Sequence, residues 1–193
     1  MRFKRKKKMN KQKQKGFTLT ELLLVIAIIG ALAGIILASI TKAREKAQIA
    51  KTVIEVKELS KSIYQYYIDT SVYPVCGSPC DATTDPLLND LGVSGWDGPY
   101  ATIYNKTHPW GGAFSTADDV DLDGGGDDYV IILNDDSPGS AEVVSDALIP
   151  LEAMLDIDNI LDDGDLSTGN VRGNALGFEA VPVLGEMMIK MTW

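Results

Sequence analysis

One carboxylate lies inside a long apolar run near the start of the chain, and its position indicates charge pairing. Glu21 follows the segment Gly16-Phe17-Thr18-Leu19-Thr20 and precedes LLLVIAIIGALAGIILASI. A carboxylate in hydrocarbon costs roughly 2.5–3.5 kcal/mol, so a residue of this kind is expected to have a functional partner. Cleavage of the chain after Gly16 would supply that partner, because it would place a new ammonium group on Phe17.

Six aspartates between residues 118 and 128 have the spacing of a cation-binding loop. The segment Asp119-Val120-Asp121-Leu122-Asp123-Gly124 has the D-x-D-x-D-G opening of a calcium loop. Val130 stands at the twelfth place, where an EF-hand needs a bidentate Glu, so no EF-hand is predicted. A shorter Ca²⁺ loop is predicted instead, and its alternative is a solvated acidic loop. The predicted metal ligands are Asp119, Asp121, Asp123 and Asp127 or Asp128.

A second group of aspartates surrounds Gly164. Its members are Asp156, Asp158, Asp162, Asp163 and Asp165. Helix capping and turn formation are the favoured interpretation, because aspartate side chains bond readily to nearby backbone amides. Metal binding is the less favoured one, since only the density of carboxylates supports it.

Two cysteines, Cys76 and Cys80, lie close together in a Gly/Pro-containing loop. In an oxidising compartment such a pair is expected to form a disulfide, although geometry rather than spacing decides whether the bond forms. A zinc site is less favoured, because a second pair of ligands is absent and the only histidine is His108.

A long helix must position Glu21. Residues 17–40 would form a helix about 36 Å long at ~1.5 Å per residue, which is enough to span a bilayer. No Pro or Gly occurs between Ile35 and Ser71, so the helix is expected to continue to about Asp69. Gly30 and Gly34 form a small-xxx-small pair that permits close approach of another helix in lipid.

The second part of this helix is predicted to dock on a globular head. Its apolar residues recur at helical spacing, and they are Ile49, Val53, Val56, Ile63 and Tyr67. After the turn-rich stretch 71–95, a buried strand is predicted at residues 129–133 and a short helix within 147–161. A turn at Arg172-Gly173-Asn174 is expected to lead into a closing strand within 177–193.

Charge is distributed unevenly along the chain. The leader, residues 1–16, contains nine of the 18 Lys and Arg residues and no acidic residue. From Ser62 onward, only Lys106, Arg172 and Lys190 oppose most of the 27 acidic residues. The positive-inside rule therefore keeps the leader cytoplasmic and places the head across the membrane. No direct nucleic-acid binding is expected, because the head lacks clustered Lys and Arg.

The segment Gly16-Phe17-Thr18-Leu19-Thr20-Glu21 closely resembles the cleavage and methylation motif of type IV prepilins and type II secretion pseudopilins. The resemblance implies that a prepilin peptidase cleaves after Gly16, that Phe17 is then N-methylated, and that Glu21 guides docking in a helical filament. An ordinary signal anchor with Glu21 near the headgroups is the alternative. A cleavable secretory signal is less favoured, because the apolar run is too long and no A-x-A-like site follows it.

Two segments of the head resemble those of major pseudopilins. They are Trp96-Asp97-Gly98-Pro99-Tyr100 and His108-Pro109-Trp110-Gly111-Gly112-Ala113-Phe114, which in that family open a small antiparallel sheet. His108 replaces the usual Asp, and Gly112 replaces the usual Asn. The aromatic residues are interpreted as turn-anchoring core residues in preference to a carbohydrate platform, and His108 as a solvated or capping residue. Major pseudopilins also carry a calcium ion in the head, which agrees in kind with the predicted loop.

Together these features predict an α+β fold in which a long N-terminal α-helix carries a small antiparallel β-sheet head. The predicted divisions are a cleaved leader (1–16), a membrane and filament-core helix (17–40), an amphipathic helix (41–70) and an acidic head (71–193). The predicted function is that of a non-enzymatic subunit, first anchored in the inner membrane by one span and then assembled into a periplasmic or extracellular filament. The implied partners are further copies of the chain, the peptidase, an inner-membrane platform with its ATPase, and minor pilins or pseudopilins.

Two alternatives come from other functional classes. One is a membrane-anchored hydrolase that uses the Asp clusters, although no His, Cys or Ser constellation supports it. The other is a calcium-binding surface domain that does not polymerise. The motif at residues 16–21 does not distinguish a pilus subunit from a secretion pseudopilus subunit. The segment His108-Pro109-Trp110-Gly111 favours the pseudopilin.

Overall fold

The computed structural model describes residues 16–76, 82–101, 107–137, 148–173 and 185–192. The chain divides into two compact units, Met1–Ala43 and Arg44–Trp193. Helix α1 (Leu19–Thr70, 52 residues) begins in the first unit and ends in the second. The second unit also contains a four-stranded antiparallel sheet and a short helix, so the predicted α+β class is confirmed.

In the first unit, the part of α1 before residue 44 has no packed face of its own. Its large apolar side chains are exposed, from 44% at Ile40 to 83% at Leu19. Helix α1 is long and apolar enough to cross a membrane. Apolar surface on this scale is normally covered by lipid or by another protein.

In the second unit, α1 contributes one face to the core. Ile49, Val53, Val56 and Ile63 are buried, as the helical spacing predicts. The prediction was wrong at the last position, where Tyr66 is buried and Tyr67 is 37% exposed. Residues three and four positions after Ile63 both lie near its face of the helix, and Tyr66 is the one that packs edge-on against Tyr100 in the core. Tyr67 stacks instead on Tyr73, with ring centroids 4.6 Å apart.

The sheet has the order β1-β2-β4-β3, and each neighbouring pair is antiparallel. Its strands are β1 (Phe114–Val120), β2 (Asp128–Leu133), β3 (Val171–Gly173) and β4 (Met187–Lys190). The predicted strand at 129–133 is therefore confirmed as β2, and the closing strand as β4. The turn predicted at Arg172-Gly173-Asn174 is wrong for its first two residues, because they pair with β4 as part of β3. Asn174 lies outside the described residues.

Helix α2 (Leu151–Leu161) confirms the short helix predicted in this region. Ala153, Met154 and Ile157 are buried in the same core as Val171 of β3 and Ile189 of β4. One face of α2 is therefore fixed against the sheet, and this contact holds the aspartates at its end in place.

The aromatic residues between α1 and the sheet anchor the turns, as predicted. The Trp96 indole donates a hydrogen bond to the Pro86 carbonyl at 3.0 Å, and the Tyr100 hydroxyl accepts one from the Asp97 amide at 2.9 Å. Tyr100 also packs edge-on against Tyr66 of α1. The turn-rich segment is thus attached to α1 through ring contacts.

Candidate functional site

The first turn of α1 is closed by a reciprocal capping box. The Glu21 carboxylate accepts hydrogen bonds from the Thr18 amide and the Thr18 hydroxyl, both at 2.8 Å. In return, the Glu21 amide donates to the Thr18 hydroxyl at 3.3 Å. These bonds satisfy amides that a helix start leaves without partners. Sequence reasoning missed this role of Glu21, although a Thr three residues before a Glu at the head of an apolar run is its known signature.

The bond between Gly16 and Phe17 is accessible. Both residues precede α1, both are exposed, and the Phe17 side chain is 87% exposed. No other part of the described chain lies within 4 Å of the position that a Gly16 Cβ would occupy. An enzyme could therefore reach this peptide bond without unfolding the helix.

Gly30 and Gly34 lie one turn apart on α1, and space is open beside both. A Cβ added at either position would meet no atom within 4 Å. The structure thus leaves the small-residue face free within the described chain, and its predicted role in packing against another copy stays a prediction.

The acidic loop brings three of its predicted ligands together. Oxygens of Asp121, Asp123 and Asp128 lie within 4.8 Å of one another. Asp119 belongs to strand β1, so it does not lie in the loop, and neither Asp119 nor Asp127 is part of this group. The loop glycine Gly124 has φ +80°, and its amide donates to Asp121 Oδ1 at 2.6 Å.

Lys190 of β4 provides a positive charge to this loop. Its ammonium lies 2.7 Å from both Asp123 Oδ2 and Asp128 Oδ1. Hydrogen bonding to Lys190 lowers the pKa of Asp123, and the same contacts raise the pKa of Lys190. The repulsion among the aspartates is therefore partly neutralised within the chain. A calcium ion bound here would compete with Lys190 for two of its three carboxylates.

His108 is a buried turn residue. Only 1% of it is exposed, so the solvated alternative was wrong and the capping alternative is confirmed. Its Nε2–H donates to the Asn134 carbonyl at 2.8 Å, and its Nδ1 accepts from the Trp110 amide at 3.3 Å. Burial lowers the pKa of His108. Gly112 is required beside it, because a Cβ there would collide with the Asn134 carbonyl.

One of the two predicted cysteine partners, Cys76, lies in the described residues. Cys76 is 5% exposed, and none of the cysteines in the described segments is free. Cys80 lies outside the described residues, so its pairing with Cys76 stays a prediction.

A pair of carboxyl groups that sequence reasoning missed lies at the start of β4. Burial, followed by the neighbouring Asp135 carboxylate, raises the pKa of Glu186 to about 7. Asp135 is itself 7% exposed. No local pattern marks this pair, because the two residues are far apart in sequence and meet only across the folded head.

The second aspartate group also converges, but with fewer members than predicted. Oxygens of Asp158, Asp162 and Asp163 lie within 4.8 Å of one another. Asp156 and Asp165 do not belong to this group. In the described part of the chain, the two groups are the only clusters of three or more potential metal ligands of this kind.

Two family models match this chain. The model described as "Prokaryotic N-terminal methylation motif" matches residues 11–37. The model described as "Type II secretion system (T2SS), protein G" matches residues 39–143, which is more than half of the chain.

Several curated proteins are similar as well. The type II secretion system core protein G of Vibrio cholerae is 32% identical over 52% of this chain and 68% of that protein. The protein of the same name from Escherichia coli K12 is 34% identical over 51% of this chain and 68% of that protein. The one from Aeromonas hydrophila is 32% identical over 55% and 74%. No solved structure gives a significant match.

Proposed function

The chain belongs to the protein G family of the type II secretion system, and from this membership we propose how its residues serve as a pilin-like filament subunit. The family decides between the pilus and the pseudopilus alternatives in favour of the pseudopilin. The leader is removed between Gly16 and Phe17 by a prepilin peptidase, and the new Phe17 amine is methylated. No catalytic step is assigned to the chain itself, because its role is structural.

One observation carries this proposal. The methylation-motif match, residues 11–37, covers an accessible Gly16–Phe17 bond, a capped helix start and Glu21 in the first turn. Cleavage, methylation and docking would therefore all act on six consecutive residues that end at the first turn of an apolar helix.

In the assembled filament, Glu21 of one copy neutralises the Phe17 ammonium of a neighbouring copy. The apolar side chains of α1 before residue 44, which the single chain leaves exposed, are then covered by equivalent helices. A carboxylate in an apolar bundle is costly when alone, so pairing favours the arrangement that brings each Glu21 to a new amine. Gly30 and Gly34 allow close approach of the helices.

The same family membership supports the proposed location and partners. Before assembly, α1 holds the subunit in the inner membrane with the leader cytoplasmic and the head outside. An inner-membrane platform and its ATPase extract and stack the subunits into a pseudopilus, with minor pseudopilins as further partners. Calcium at the acidic loop stays a prediction that the three convergent carboxylates support, with Lys190 as its competitor.

Two substitutions of Glu21 separate charge pairing from helix capping. Glu21→Gln keeps an oxygen that can accept the Thr18 hydrogen bonds but removes the charge, whereas Glu21→Ala removes both. Glu45→Gln, also on α1, is the matched control for loss of one carboxylate. Each full chain is expressed with its secretion system. Mass spectrometry of the mature N-terminus and electron microscopy of sheared filaments are the measurements.

All variants are expected to be cleaved before Phe17 and methylated, because the scissile bond is unchanged. Filaments are expected from wild type and from Glu45→Gln, and from neither Glu21 variant. Normal filaments from Glu21→Gln together with their loss in Glu21→Ala would show that Glu21 acts as a cap, and charge pairing would be rejected. A mature chain that still carries its lysine-rich leader would reject the processing step.

A further inference from the structure

Three aspartates converge where α2 ends. Asp158 is in the last turn of the helix, Asp162 is its C-cap and Asp163 follows, and their oxygens lie within 4.8 Å of one another. Calcium binds carboxylate oxygens at 2.3–2.6 Å, so two ligands on opposite sides of one ion are about 5 Å apart. The spacing of the three carboxylates therefore matches a single shared ion.

Asp158 is the unusual member of this group. It is 0% exposed, and neither carboxylate oxygen has a hydrogen-bond partner among the residues that the structure describes. The nearby Gly164 amide favours the charged form, but it does not form a hydrogen bond of ordinary geometry with either oxygen. Burial raises the pKa of Asp158, and the Asp163 and Asp162 carboxylates raise it further. A buried carboxylate without a partner is costly, so this group requires either a cation or a proton.

The other two carboxylates are held in place by the loop that leads to β3. Asp162 accepts hydrogen bonds from the Asn170 amide and side chain and from the Val171 amide. Asp163 accepts from the Asp165 amide at 2.9 Å and from the Thr168 hydroxyl at 2.9 Å. Carboxylates that bind metals are commonly oriented by such outer hydrogen bonds and keep further lone pairs for the ion.

No positive side chain balances these charges in the described part of the chain. None of the ion pairs there involves the three aspartates. The last turn of α2 contains no basic residue, although the negative end of a helix dipole favours a cation. The group at Asp121, Asp123 and Asp128 differs in this respect, because Lys190 neutralises it.

We propose that Asp158, Asp162 and Asp163 bind a calcium ion that joins the C-terminal end of α2 to the loop before β3. Calcium fits this donor set because it is a hard cation that accepts carboxylates, backbone carbonyls and water in flexible geometry. The proposal concerns the head alone and stands independently of filament assembly.

The test uses the full chain in detergent micelles, with Asp121→Asn and Asp123→Asn introduced to disable the acidic loop. This double variant is called the background chain, and every further substitution is made in it. Calcium binding is measured by equilibrium dialysis with radioactive calcium, and the Tm by circular dichroism with calcium or with EDTA. Asp158→Asn removes the buried charge at nearly constant shape. Asp163→Asn alters an exposed member of the group, and Asp156→Asn, at an exposed position of α2, is the matched control.

We expect the background chain and its Asp156→Asn derivative to bind one calcium ion and to gain Tm in calcium. Asp158→Asn and Asp163→Asn are each expected to weaken binding at least about 10-fold, since even the loss of an outer-shell partner commonly costs that much. If Asp158 is simply a buried neutral acid, Asp158→Asn will leave both Tm values unchanged, and the proposal is overturned. It is also overturned if the background chain binds no calcium at millimolar levels, or if magnesium alone raises the Tm.

Discussion

Replacing Ile63 by alanine tests whether the second part of α1 is a structural component of the head. Ile63 is 0% exposed and belongs to the core cluster with Ile131 of β2 and Met187 of β4. Ile54 lies on the same helix and is 57% exposed. The same substitution at Ile54 is therefore the matched control, with identical chemistry and little buried contact.

The expected loss at Ile63 can be worked from its burial. The substitution removes three carbon groups from a fully buried site, which at ~0.8 kcal/mol each gives about 2.4 kcal/mol. A cavity that the packed sheet cannot fill adds about 1 kcal/mol. The free energy of unfolding is therefore expected to fall by about 3–4 kcal/mol. For a unit of this size, the Tm should fall by roughly 6–16 °C. At Ile54 the change should stay within about 0.5 kcal/mol.

The assay is thermal unfolding of the full chain in detergent, followed by near-UV circular dichroism. This signal reports the packed aromatic residues of the head, such as the Tyr73 and Tyr129 rings stacked 4.5 Å apart. A Tm of Ile63→Ala equal to that of wild type would refute the reasoning, because it would mean that the buried stripe of α1 does not hold the sheet. A loss at Ile54 as large as that at Ile63 would refute it equally.

Three further predictions concern the head. Because the pKa of Glu186 is raised to about 7 from 4.5, Glu186 holds more protons in the folded state than in the unfolded state between these values. Its contribution to the free energy of unfolding should therefore fall as pH rises through this window, and urea titrations should show a steeper slope in wild type than in Glu186→Gln. In a chain whose second aspartate group is disabled by Asp158→Asn, Lys190→Met should lower the Tm in EDTA and make it calcium-dependent, since two carboxylates lose their ammonium. The absence of any calcium response in this double variant would reject calcium binding at the loop. Gly112→Ala should lower the Tm strongly, because its Cβ would collide with the Asn134 carbonyl. The Cβ of Gly124→Ala would meet no atom within 4 Å, so this variant should lose only the stability that its positive φ costs. Equal losses of Tm in the two variants would contradict the explanation that Gly112 is required by the buried turn.

Local patterns predicted much of this protein correctly. Helix α1 ends within a residue or two of the predicted Asp69, because an unbroken run without Pro or Gly determines its length. The β-branched run at 129–133 forms β2, one of the two inner strands, for a similarly local reason. At Tyr66 and Tyr67 the helical spacing allows either residue to face the core, and packing against Tyr100 selects Tyr66. At Arg172-Gly173, pairing with the distant strand β4 replaces the predicted turn.

The sequence by itself determined the processing motif, the apolar helix and the family, because each depends on residues that are consecutive or at a fixed helical spacing. Only the tertiary structure decided the charge balance of the head. Lys190 reaches Asp123 from 67 positions away, while Asp158 is left buried without a hydrogen-bond partner in the described segments. The two acidic groups look alike in the sequence. They differ in the fold because electrostatic neutralisation depends on distance in space, and packing of strands and helices sets that distance.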